Sequence, residues 1–70
     1  MEVVHREKYK TEHSEYLIEV LYHSDEKEGQ PYEARVFGLP ISVSGIKLES
    51  ALTAAKVHIG AWENTHSNNN

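Results

Sequence analysis

The chain has 70 residues, no cysteine and a formal charge of -4, with 26% charged and 39% hydrophobic residues. This length holds one domain at most, and ordering a chain this short costs about as much as its apolar burial returns. Disulfides and thiolate zinc sites are excluded, and no run approaches the roughly 18 apolar residues of a membrane span.

Met1 to Glu15 is polar and lacks the apolar stretch of a secretory signal, so a soluble protein of the cytoplasm is expected. Val3 and Val4 begin either an edge strand that continues to Tyr9 or a flexible arm. A turn falls around Thr11 to Ser14. Tyr16 to Tyr22, YLIEVLY, contains β-branched and aromatic residues and no breaker, which predicts a strand. Tyr16, Ile18, Val20 and Tyr22 share one side of it, and Leu17, Glu19, Leu21 and His23 the other. Ser24 to Pro31 reads as a turn, with Gly29 suited to a positive φ and Pro31 unable to donate to a ladder. Tyr32 to Phe37 alternates again, with Tyr32, Ala34 and Val36 on one side. Gly38-Leu39-Pro40 ends that strand, and Ile41 and Val43 make a brief further one.

A helix is predicted from Ile46 or Lys47 to Glu63. Leu48, Ala51, Leu52, Ala55, Ile59 and Trp62 recur at spacings of three, four and seven, while Glu49, Ser50, Lys56 and Glu63 lie off that stripe. Ser44 is the expected N-cap. Gly60 either lets Trp62 pack closely or marks fraying of the last turn. The polar segment 64–70 has no apolar residue to anchor it. The expected organisation is thus an edge strand or arm over 1–15, one α+β domain over 16–63 and a disordered tail. The expected fold is a three- or four-stranded antiparallel sheet with one C-terminal helix packed on one face. The other face is left for solvent or a partner.

The run from Tyr32 to Ile59, YEARVFGLPISVSGIKLESALTAAKVHI, resembles the HicB-like antitoxin family. The shared features are Tyr32, Ala34 and Val36 on a strand, the Leu39-Pro40 step, Val43 and Gly45, and a helix opening with Leu48-Glu49 and Ala51-Leu52. Tyr16 to Tyr22 takes the place of the family's first strand, so the resemblance spans roughly residues 16–63. It implies a β-β-β-α domain that binds and masks a small basic ribonuclease toxin, and commonly dimers. Ile41 stands where the family usually has Gly, and Lys47 where it usually has a Thr or Ser cap.

The charge is uneven along the chain. Residues 16–30 hold Glu19, Asp25, Glu26 and Glu28 against Lys27, whereas acids and bases balance over residues 31–70. Such a patch repels phosphate and attracts basic surfaces, or simply aids solubility. The five histidines show no H-x-x-x-H or similar ligand spacing, and Asp25, Glu26 and Glu28 lack the twelve-residue calcium-loop pattern. The chain contains no nucleophile elbow or phosphate loop, and Ser42 and Ser44 have no evident base. The aromatic residues lack the neighbouring cations that base stacking needs.

The expectation is therefore a non-enzymatic module without metal or cofactor that binds a basic protein. Nucleic acid is not expected as a partner, no membrane is expected, and a homodimer is. The expected contact residues are Glu19, His23, Asp25, Glu26, Glu28 and Glu33. The alternative is a self-associating structural or adaptor protein.

Overall fold

The computed structural model describes residues 1–25 and 29–66. Four strands and one helix follow in chain order: β1 (Glu2–Lys10), β2 (Glu15–Tyr22), β3 (Tyr32–Val36), β4 (Ser42–Gly45) and α1 (Leu48–His66). The strands form one antiparallel sheet in the order β1-β2-β3-β4, a simple meander, so every pairing is between chain neighbours. The predicted α+β fold is the one observed. The N-terminal segment is a nine-residue edge strand with a register shift between Val3 and His5. None of the described helical residues forms a span long and apolar enough to cross a membrane.

The connections follow their local chemistry. Thr11 organises the β1–β2 turn: its N–H donates to the Ser14 carbonyl at 2.8 Å, and its Oγ1 accepts from the N–H groups of His13 and Ser14. This is the local side-chain capture of backbone that threonine favours in turns. Between β3 and β4, Leu39 N–H reaches back to the Val36 carbonyl at 3.1 Å, and Gly38 sits at φ +83°. That left-handed position suits glycine and strains other residues.

The two sides of the sheet differ as the strand alternation predicts. Ile18 and Val20 of β2, Ala34 and Val36 of β3, and the incoming Ile41 meet Ala51, Ala55 and Ile59 of α1 in one buried cluster. Tyr16, Tyr32, Val43, Leu48, Leu52 and Trp62 pack around its margin. The helix lies mainly over β4 and β3 and less over β2.

The start of the helix differs from expectation. Ser44 lies in β4 opposite Glu33, and the first helical bond runs from Ala51 N–H to the Lys47 carbonyl at 3.2 Å. Lys47 therefore occupies the cap position, and it has no side-chain acceptor for the exposed first-turn N–H groups. Contact with the sheet compensates. A Cβ added to Gly45 would stand 2.6 Å from the Ala51 backbone nitrogen and 3.0 Å from its Cα. The helix can rest on β4 only because Gly45 has no side chain. Gly60 behaves in neither of the expected ways. The helix continues through it to His66, and a Cβ there would meet nothing within 4 Å.

The two glycines therefore make opposite predictions for thermal unfolding. Gly45→Ala must separate helix and strand backbones, and is expected to destabilise by about 1–3 kcal/mol. Gly60→Ala removes only a helix-propensity penalty, and is expected to stabilise by about 0.5–1 kcal/mol. At this size each kcal/mol moves the midpoint by roughly 4–8 °C. Equal midpoints for the two variants would contradict the packing described here.

Candidate functional site

The side of the sheet away from the helix is not covered by any other described element. Register places Arg6, Lys8 and Lys10 of β1 beside Glu19, Leu17 and Glu15 of β2. Glu19 and Leu21 in turn stand beside Arg35 and Glu33 of β3, and those beside Ser42 and Ser44 of β4. Charges of opposite sign alternate across the strands on this face, the favourable arrangement for cross-strand pairs. Arg6 Nε donates to Glu19 Oε2 at 2.8 Å, and Arg35 Nε donates to Glu33 Oε2 at 2.9 Å.

Glu33 is the hub of this face. Besides Arg35, its carboxylate takes a hydrogen bond from the Ser42 hydroxyl and contacts His23 Nε2 at 2.7 Å. Its side chain is 17% exposed. The Arg35 guanidinium, helped by Ser42 and His23, pulls the carboxyl from its usual 4.5 down to about 2. Each partner favours the charged form, and together they outweigh the partial burial that opposes it. Leu21, flanked by Val3 and Glu33, is only 6% exposed although it belongs to the side without the helix. Leu17 is half-buried. The expected apolar content of this face is thus present as two leucines set between charged rows.

The structure places three of the six expected contact residues on this face: His23 and Glu33 meet just past the end of β2, and Glu19 lies further along the strand beside Arg6. Asp25 is exposed beyond the end of β2, and Glu26 and Glu28 lie outside the described residues. The strand β1 adds Arg6, Lys8 and Lys10 to the face, and with Arg35 they offset Glu15, Glu19 and Glu33. Of these acids, Glu19 and Glu33 are held in ion pairs within the chain. Neither Glu15 nor Asp25 makes an ion pair or side-chain hydrogen bond with a described residue.

A second polar system joins helix to sheet on the other side, and sequence patterning missed it. Glu49, Lys56 and Glu63 recur at intervals of seven, so they share one flank of α1. Lys56 Nζ contacts Glu7 Oε2 at 2.8 Å and lies 5.3 Å from the centre of the Tyr9 ring. Glu63 accepts hydrogen bonds from Thr11 Oγ1 at 2.6 Å and Tyr16 Oη at 2.7 Å. These bonds lower the carboxyl pKa of Glu63, and the hydrogen bond to Glu63 raises that of Tyr16. His5 and Lys56 lower that of Glu7 in the same way. The spacing of seven was the available signal.

Among the described residues, no three His, Cys, Asp or Glu side chains are grouped as a metal cage. Ser42 and His23 both bind Glu33 rather than each other, so the carboxylate is the centre of the group. No family model, curated protein or solved structure matches this chain.

Because the pKa of Glu33 is depressed in the folded state, its partners contribute stability that is complete above about pH 5. That contribution disappears as the pH falls towards 2. Allowing for solvent screening, it is on the order of 1–2 kcal/mol. Glu33→Gln is expected to lose this amount at pH 7 and almost nothing at pH 2. Thermal midpoints of both proteins across that range check it, and parallel curves would contradict the assignment.

Proposed function

We propose that this chain is a non-catalytic protein-binding module of antitoxin type, which masks a basic protein partner such as a small ribonuclease toxin in the cytoplasm and works as a homodimer. The observation that carries the reading is the sheet side opposite α1, where two partly or wholly buried leucines lie among fixed charges. A surface of this kind is uncovered by the other described elements, shaped by strand pairing and already ordered, so little freedom is lost when a partner docks. The β2-β3-β4-α1 order, with the Leu39-Pro40 step and Gly45 at strand–helix contact, supports the resemblance to HicB-like antitoxins.

The charge pattern assigns different roles to the predicted contact residues. Asp25, with Glu26 and Glu28 beside it in sequence, is the segment that attracts a basic protein over distance. Glu19 and Glu33 already hold Arg6 and Arg35. A basic partner therefore gains from them only by exchanging its own guanidinium or ammonium group for the internal one. Such exchange favours a partner whose cations match the spacing of the face, which contributes selectivity more than affinity. A second reading, a self-associating adaptor, is supported by the bare β4 edge.

The test uses a small basic ribonuclease that co-purifies with the protein from its native host and whose RNA cleavage the protein inhibits. Reversal of Asp25, Glu26 and Glu28 to Lys is expected to slow association at low salt by about tenfold or more and to flatten its salt dependence. Association kinetics at several ionic strengths decide the matter. An unchanged rate, or a partner with no basic surface, would reject the electrostatic reading.

A further inference from the structure

The two edges of the sheet are built differently. At one edge β1 carries the register shift between Val3 and His5, and then alternates through Arg6, Glu7, Lys8 and Lys10. Irregularity and charge are the usual means of blocking edge-to-edge pairing. At the other edge β4 is Ser-Val-Ser-Gly, with no charge, no proline and no bulge.

The register shows which backbone groups β4 leaves open. Val36 N–H donates to the Ile41 carbonyl at 3.2 Å, and the same register pairs Ala34 with Val43 and Tyr32 with Gly45. In an antiparallel ladder the groups of alternate residues face alternate neighbours. Ile41, Val43 and Gly45 thus turn their N–H and C=O towards β3, and Ser42 and Ser44 turn theirs outward. On the helix side Val43 is only half-buried at the rim of the core.

We propose that β4 is the seam of a two-fold dimer, in which it pairs antiparallel with β4 of a second copy and continues one sheet across both chains. The inference rests on the homodimer in the proposed function and supplies its surface. Ser42-Val43-Ser44 reads the same in both directions, so a two-fold axis through Val43 sets Ser42 against Ser44 of the second copy, and the reverse. Each such pair exchanges two backbone hydrogen bonds. Residues from the same side of the sheet meet, as antiparallel pairing requires. The two Val43 side chains then close on each other beneath the helices.

Charge selects a second copy over other occupants. A chain of charge -4 repels its own copy wherever like charges meet. The charged helix flank, Glu49, Lys56 and Glu63, faces β1, where Lys56 and Glu63 are engaged. The flank above the β4 edge presents Ala54, His58 and Ala61, with no Asp, Glu, Lys or Arg. The axis sends Lys47, at the start of the helix, to opposite ends of the seam. A specific interface needs roughly 1,000 Å² in all. That takes about a tenth of the 4850 Å² each copy exposes, an area on the order of a strand pairing plus the adjoining helix flank.

Sedimentation equilibrium from low to high micromolar concentration tests the seam, with circular dichroism as the check on folding. The wild-type chain is expected to be a dimer. Ser44→Pro removes an outward N–H without touching the β3 ladder, and Ala54→Arg places a cation on the helix flank. Each is expected to weaken dimerisation at least tenfold while remaining folded, and Lys8→Glu on the opposite edge is expected to leave it unchanged. A monomeric wild type at high micromolar concentration would overturn the proposal. So would folded Ser44→Pro and Ala54→Arg chains that dimerise as tightly as wild type, or a dimer broken by Lys8→Glu instead. A monomer that still inhibits the basic ribonuclease would reject the seam and leave the masking function standing.

Discussion

The helix backbone rests on the β4 backbone at Gly45, and the rest of the architecture depends on that contact. It places Ala51 against the sheet, and Ala55 and Ile59 follow on the same stripe. Small residues at the first two of these positions keep the helix close while Ile18 and Val20 fill the space beneath. In a domain this small the margin between apolar burial and ordering entropy is narrow. Close approach at one end therefore matters more than it would in a larger core. It also explains how α1 begins without a side-chain cap: docking on β4 holds the first turn in place.

Polar contacts complete what the helix cannot cover. The helix lies over β4, β3 and part of β2, so β1 stands beyond its reach. Lys56 and Glu63 bridge that distance to Glu7, Tyr9, Thr11 and Tyr16. On the opposite face, Arg6 with Glu19 ties β1 to β2, and Glu33 with Ser42 ties β3 to β4. Exposed pairs of this kind contribute little singly. Glu33 is the exception, because three partners converge on one partly buried carboxylate, and its low pKa records their combined effect.

Most of the fold was legible because strand and helix periodicities are strong in the right places. YLIEVLY alternates without a breaker, and its Ile18 and Val20 are the fully buried residues of β2. The stripe from Leu48 to Trp62 predicted the helix face that packs on the sheet. Less was legible at the site. The N-terminal segment alternates charge with charge, and that pattern suits an edge strand and a flexible arm equally well. Arg6, Lys8 and Lys10 could therefore not be placed beside the acids of β2. Ser44 looked like a cap because cap residues are recognised by type, whereas the helix start was set by the Gly45 contact. Glu63 looked like a solvated residue because its partners, Thr11 and Tyr16, lie about fifty positions earlier in the chain.

The distribution of charge then separates the surfaces of the molecule. Three acids on the sheet are each answered by a cation from the neighbouring strand, the same strand or the helix. They are Glu19 with Arg6, Glu33 with Arg35, and Glu7 with Lys56. The net negative charge is left to residues away from those ladders, Asp25 among them. The open face is consequently ordered and balanced where these pairs form, and in the proposed masking role the attraction for a basic protein comes from its end rather than its centre. The β4 edge carries neither charge nor any of the devices that protect β1. A face that selects by matching fixed charges and an edge that excludes charge altogether suit different partners. The proposed masking face and the proposed dimer seam thus use different parts of the same four strands.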